Sequence, residues 1–345
     1  MRKRGLLALL GSVCLILVLA AVIPFTAEGA TPAPKPITIK VAFIETMTSI
    51  TYLKTVEYAK KVEARSDGRL HFEFYPANQL VPANQIFQSL KVGAIDMNAC
   101  HMGLFAGIEP MIAGFQLPFG YVNRDHGWAA WQAGQKELLE KALVKQNQKV
   151  LALSCPTLRG GALFSRKFSV KVPKDLKGRK IRVGGIEQSQ MIAACGGAPV
   201  TMPASEYYEA LERGTIEGVI TGVEMSIDRS MYEVCDNLCL FDFDWAFTYF
   251  AMNLDLWNKL SPDLQAILVD EFGEKYWKAQ SNALPDLYDA AIKKYQAVKA
   301  AIYDPSPTDR VLWKENAKDI QDKWVAKVGE PGKKWIEIID KTRPK

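Results

Sequence analysis

The sequence predicts an α/β chain folded as two lobes, with long helices at its C-terminal end. Three observations carry this expectation: short apolar strands alternate with helical segments from Ile37 onward, the alternation starts again near Lys149, and the chain turns helical beyond Pro262. Without residues 1–30 of the 345, a little over 300 remain, more than one hydrophobic core usually holds, and 48% apolar residues supply ample burial for two.

The elements follow in order. Arg2, Lys3 and Arg4 precede an uncharged run from Gly5 to Ala27, and then Glu28-Gly29-Ala30. Basic residues stay cytoplasmic, the apolar run enters the translocon, and Pro24 breaks the helix ahead of small residues that suit signal peptidase. Residues 1–30 are therefore expected to be an export signal cut near Gly29 or Ala30, which places the folded part in the periplasm. An uncleaved anchor is the other reading, since the run is long enough to span a bilayer. After a Pro/Ala-rich stretch to Pro36, Ile37–Phe43 alternates apolar and polar side chains as a strand does. Tyr52, Val56, Ala59 and Val62 repeat at helical spacing up to the Asp67-Gly68 turn, and Leu70–Tyr75 alternates again. A short helix with Ile86, Phe87 and Leu90 ends at Gly93, and Ile95–Ala99 reads as a third strand. A helical stretch around His126–Gln146 precedes the restart at Lys149–Ser154. Ala162–Ser165, Lys180–Val183, Ala198–Thr201 and Ile216–Ile220 are further strands, with helices Glu187–Cys195 and Ala204–Arg213 between them. From Pro262, Leu264, Ile267, Leu268 and Phe272 share one helical face.

Charge and motif content exclude several classes. The net charge is +5, part of it in the leader, and the lysines are scattered along helices without interleaved aromatics, so no nucleic-acid partner is expected. The cysteines beyond the leader have no metal-site spacing; Cys235 and Cys239 could pair across a sharp turn or stand as buried thiols. The three histidines show no ligand spacing, and there is neither a nucleophile-elbow serine nor a phosphate-cradling glycine loop. No enzyme activity, cofactor or metal is expected. His71 occupies a polar position of an alternating strand and should be exposed, and His126 at a helix start should be a surface or capping residue. His101 differs: it follows a strand whose C-terminal end should open on the crevice between lobes, where ligands of α/β folds collect. Arg182 sits at an alternate position of a strand that runs into Gly184, Gly185 and a helix. A guanidinium there can hold a carboxylate by two parallel hydrogen bonds, helped by the helix N-terminus. An ordinary surface or salt-bridging arginine is the alternative.

Asp175-Leu-Lys-Gly-x-Lys-Ile-Arg-Val183, Gly196-Gly-Ala-Pro-Val-Thr-Met-Pro203, Ser205-Glu-x-Tyr-x-Ala-Leu211 and Gly214-Thr-Ile-Glu-Gly218 resemble, in that order, the solute-binding proteins of tripartite ATP-independent periplasmic (TRAP) transporters, DctP type. Ser66–Leu70, Tyr75-Pro-x-x-Gln-Leu80, Gly93–Met97, Pro110, Leu117-Pro-Phe119, Tyr232-Glu-Val234, Asn253-x-x-x-Trp257 and Leu260-x-Pro262-x-x-Gln265 extend the resemblance over nearly the whole chain past the leader. The resemblance implies the two-lobed clamshell of periplasmic binding proteins: lobe I from 31–157 plus about 248–285, lobe II from about 158–247 plus 286–345. It implies an organic acid clamped between lobes joined by crossing strands and a long helix, and delivery to a TRAP permease of small and large membrane subunits driven by an ion gradient. By position, Arg182 resembles the arginine that pairs with the ligand carboxylate, with Gly185 opening the adjacent helix; Arg159 lies near a second arginine of many members, and His101 where members place a polar contact. Thr221 stands where an amide is common, and Ala204 replaces an aromatic and leaves room. Trp245 and Phe247, in Phe241–Phe247, either stack on a flat or apolar ligand body or fill the core beneath the cleft. The expected ligand is a monocarboxylate with an apolar or aromatic body.

Overall fold

The computed structural model describes residues 35–101 and 103–345; the expected export signal lies outside them. Strands run, in chain order, β1 (Ile37–Ala42), β2 (Leu70–Tyr75), β3 (Met97–Cys100), β4 (Gln148–Ser154), β5 (Ala162–Ser165), β6 (Lys180–Val183), β7 (Ala198–Thr201), β8 (Gly218–Thr221), β9 (Asn237–Cys239), β10 (Thr248–Asn253) and β11 (Ala301–Tyr303). They form two sheets, ordered β2-β1-β3-β10-β4 and β11-β9-β5-β8-β6-β7. In the first, β1 pairs in parallel with β2 and β3, while β10 enters antiparallel between β3 and β4. In the second, β6 runs parallel to β7 and β8, and β5 lies antiparallel between β8 and β9. The structure is thus the mixed α/β arrangement expected, although β4, where the strand–helix pattern restarts, belongs to the first sheet and the second begins at β5.

Local chemistry accounts for the framework. Helix Ile50–Arg65 starts where the Ser49 hydroxyl accepts the Tyr52 N–H, buries Thr55, Tyr58, Ala59 and Val62, and stops before Gly68, whose φ of 71° favours glycine. That face packs on Ile39, Val41 and Phe43 of the first sheet. Two segments join the sheets: the chain crosses from β4 to β5 through 155–161 and returns from β9 to β10 through 240–247. A 22-residue helix, Tyr276–Ala297, makes the third link. Its N-terminal Tyr276 and Trp277 pack with the first sheet, and its C-terminal Ala291 and Tyr295 with the second. Midway, Gln280 Oε1 accepts from the Ser154 hydroxyl at 3.1 Å and from the Cys155 N–H at 3.0 Å, pinning the helix where the chain leaves β4.

Several expectations meet a different outcome. The segment 286–345 does not travel as one body: Trp313, Ala317 and Ile320 of helix Pro307–Val328 join the core of the second sheet, whereas Trp324, Trp335 and Ile339 join that of the first. The C-terminal helices therefore straddle both sheets. His126 is buried, not a surface or capping group; Asn123 is the cap, and His126 Nε2 bonds the Ile339 carbonyl at 2.8 Å, tying the last helix to the helix Arg124–Ala130. His71 is exposed and pairs with Glu63. Cys235 and Cys239 are separate buried thiols. No helix among the described residues is long and apolar enough to cross a membrane.

Candidate ligand-binding site

Ligands of α/β folds collect beyond the carboxyl ends of strands. The chain past β1 supplies Ile44 and Glu45, the residue after β3 is His101, β6 ends at Arg182 and Gly184, and β8 ends at Ile220 and Thr221; all line one cavity of about 60 Å³ between the sheets. The crossing segments contribute Gly161, Asp244 and Ala246 to the same wall. Those segments lie side by side, the Gly161 N–H donating to the Asp244 carbonyl at 2.6 Å. A Cβ on Gly161 would sit 2.6 Å from Asp244 Oδ1, so a side chain there would push the segments apart.

Arg182 is 7% exposed, and its guanidinium is fixed by backbone carbonyls: Nε and Nη2 donate to Met202 O at 3.0 and 2.8 Å, with a longer Nη1 contact to Ile220 O at 3.4 Å. The Tyr207 ring lies 5.2 Å from its Cζ. No carboxylate among the described residues forms an ion pair with it, and burial pulls its pKa down to about 10, still charged at neutral pH. A guanidinium carries five N–H donors, so these contacts orient it and leave capacity toward the cavity. His101 faces the same space. Its Nε2 is 2.9 Å from Gln116 Nε2, and burial, then the charge of Arg182, lower its pKa to about 4, so the ring is neutral. The Gln188 amide, one helical turn beyond Gly184, accepts the Gly184 N–H at 2.7 Å and donates to Asp244 Oδ2 at 2.8 Å. Burial raises Asp244 to about 6. Among the described residues, no three His, Cys, Asp or Glu side chains gather as a metal site.

The structure thus brings Arg182, His101, Thr221 and Ala204 together at the cavity. The other named residues stand elsewhere. Arg159 donates to both oxygens of Asp242, at 3.0 and 2.6 Å, and to Asp304 at 2.7 Å, and Arg310 joins the same two aspartates. Its guanidinium is occupied by the protein. Gly185 makes room for Gln116, since a Cβ there would meet Gln116 Oε1 at 2.5 Å; it serves His101 at one remove. Trp245 and Phe247 fill the core: Trp245 Nε1 bonds the Tyr121 carbonyl at 3.1 Å, and Phe247 nests on Gly127, whose absent Cβ would fall 1.9 Å from its ring. Alternate residues of the segment part company, although its backbone is not a strand (Asp242 has φ 53°): Phe241, Phe243, Trp245 and Phe247 enter the two cores, Asp242 pairs with Arg159, and Asp244 and Ala246 line the cavity. Glu45, Gln188, Met225, Arg229 and Asp244 also line the cavity and were missed. Strand-end position would have found Glu45, and period-two alternation Asp244; Arg229 and Met225 carry no such signal.

Comparison with known proteins adds a second line of evidence. The family model for bacterial extracellular solute-binding protein, family 7 (DctP), matches residues 42–327. A solute-binding protein of Albidiferax ferrireducens is 28% identical over 76% of this chain and 77% of its own. The C4-dicarboxylate-binding periplasmic protein DctP of Rhodobacter capsulatus is 23% identical over 95% of both chains. Among solved structures, a TRAP periplasmic solute-binding protein from Desulfovibrio salexigens with bound orotic acid superposes with a TM-score of 0.83 at 20% identity, covering 88% of this chain and 98% of that one.

Proposed function

We propose, for a chain that belongs to the bacterial extracellular solute-binding proteins of family 7, that it captures an organic acid between its two sheets with Arg182 on the ligand carboxylate, and hands it to a TRAP-type permease of small and large membrane subunits. One observation carries the reading: a buried arginine, oriented by backbone carbonyls and in no ion pair among the described residues, lines a cavity between the sheets. A desolvated cation is costly when unpaired, and a ligand carboxylate supplies the missing charge by charge-assisted hydrogen bonds. The relatives' names support the class, since a C4-dicarboxylate and orotic acid both bear carboxylates. The crossing segments 155–161 and 240–247 are the hinge about which the lobes close. An apolar or aromatic ligand body no longer has Trp245 and Phe247 to stack on; what faces the ligand instead is Ile44, Ala204, Ala246 and Met225, mixed with polar groups.

A thermal-shift screen of orotate, C4-dicarboxylates, 2-oxo acids and aromatic monocarboxylates tests the class. At least one acid is expected to raise the melting temperature of the wild type and to leave Arg182→Met unmoved. Stabilisation by neutral solutes alone, or equal stabilisation of the variant, would contradict the assignment.

A further inference from the structure

The cavity at Arg182 adjoins a second of about 130 Å³, and the two share Glu45, Met225 and Arg229 as walls. Three carboxylates, Glu45, Glu224 and Asp228, and two cations, Arg229 and Lys294, line the second. Glu45 and Glu224 are 7% and 8% exposed. Each has one carboxyl oxygen held by backbone: the His101 N–H donates to Glu45 Oε1 at 3.3 Å, and the Leu158 N–H to Glu224 Oε1 at 2.7 Å. The other oxygen, Oε2 in both, is buried and has no donor among the described residues. Among the described residues neither cation forms an ion pair with Glu45 or Glu224, although the charge of Arg229 acts on Glu45, and the Thr48 hydroxyl donates to Asp228 at 3.3 Å. Leaving such an oxygen unpaired costs about 1–3 kcal/mol, and both glutamates belong to the wall of this cavity.

We infer that the second cavity receives the far end of the ligand, and that this end carries hydrogen-bond donors, an amino or hydroxyl group, that meet Glu45 Oε2 and Glu224 Oε2. The inference rests on the carboxylate reading of Arg182. It deepens that reading by making the solute two-ended: an acceptor group on the guanidinium and a donor group on the two glutamates. A purely apolar far end would desolvate both oxygens without replacing their partners, so the site selects against it. Burial raises both glutamates to about 7, so a protonated amine gains further by favouring their ionised forms.

Calorimetric titration with straight-chain monocarboxylates of three to six carbons, each plain, ω-hydroxylated and ω-aminated, separates the two readings. The hydroxy or amino acid of at least one length is expected to bind at least tenfold tighter than its plain counterpart, about 1.4 kcal/mol. Glu224→Gln, and independently Glu45→Gln, are expected to shrink that ratio for the amino acids. If plain acids bind as tightly as their substituted partners, or both variants keep the ratio, the donor-end inference falls while the carboxylate reading stands. If no member of the series binds while an acid from the thermal-shift screen does, the donor-end inference falls and the carboxylate reading stands; if no acid binds in either experiment, both fall.

Discussion

Arg182 and Arg159 occupy comparable places, one at the end of a strand and one on a crossing segment, both bordering the junction of the two sheets, yet their surroundings are opposite. Arg159 is surrounded by acid: burial alone would lower its pKa, but hydrogen bonds to Asp304 and Asp242 outweigh it and hold the group above its ordinary value. Arg182 has carbonyl oxygens where Arg159 has carboxylates, and burial draws its pKa down. The chain thus spends one arginine on itself, clasping segment 155–161 to segment 240–247 and to helix Pro307–Val328 through Arg310. It leaves the other to be completed from outside. Side-chain identity does not separate a structural cation from a receptive one; the location of the nearest carboxylate does.

That contrast can be broken most forcefully at Arg182. Arg182→Met keeps much of the volume and removes the charge. Binding of the acid ligand is expected to weaken by about 2–5 kcal/mol, some thirtyfold to several thousandfold, by calorimetry. The melting temperature without ligand should hold or rise, because a desolvated cation has been exchanged for an apolar side chain. Arg159→Met is the mirror experiment. It strands two aspartates beside Arg310 alone, so denaturant unfolding is expected to show a loss of about 1–3 kcal/mol, with ligand affinity changed less than in Arg182→Met. If Arg159→Met abolishes binding while the protein remains folded, the division of labour between the two arginines is wrong.

A smaller effect concerns the two buried glutamates of the second cavity. Glu45 and Glu224 stand at about 7 in the folded protein, above their ordinary 4.5, because burial disfavours the charged form. The folded state then holds protons that the unfolded chain has released, so their contribution is fully present below about 4.5 and is lost as pH rises through 7. His101, lowered to about 4, acts in the opposite sense, but only below its ordinary 6.5. Between pH 6.5 and 8 the ligand-free protein is therefore expected to lose about 1 kcal/mol per glutamate. The double variant Glu45→Gln, Glu224→Gln should reduce that slope in melting temperature, with Glu187, also raised to about 7 by burial, keeping part of it; an unchanged slope would place the titration elsewhere.

The fold was largely legible because its signals are local. Alternation in Ile37–Ala42 and Leu70–Tyr75 and helical spacing from Tyr52 to Val62 need no partner to be read. β9 and β11, three residues each, are too short for a period to show, and β10 is buried on both faces and so does not alternate. The path of the C-terminal helices depends on where Trp313, Trp324 and Trp335 find space, a tertiary matter. At the site, Arg182 and His101 were reached from strand-end position. Trp245 and Phe247 were drawn toward the ligand because aromatics suggest stacking, although the alternation of the segment already set Asp244 and Ala246 on the opposite side. Arg159 was misjudged for want of Asp304, 145 residues away in sequence, which no local pattern announces.

The central claim is that Arg182 meets the solute's carboxylate, and a crystal structure of the protein with the acid selected by the thermal-shift screen addresses it directly. Carboxylate oxygens are expected about 2.7–2.9 Å from the Arg182 guanidinium nitrogens, with Met202 O still bonded to Nε and the Arg159–Asp242–Asp304 cluster undisturbed. A ligand whose carboxylate rests on Arg159 in place of the aspartates, or one bound away from Arg182 altogether, would contradict it.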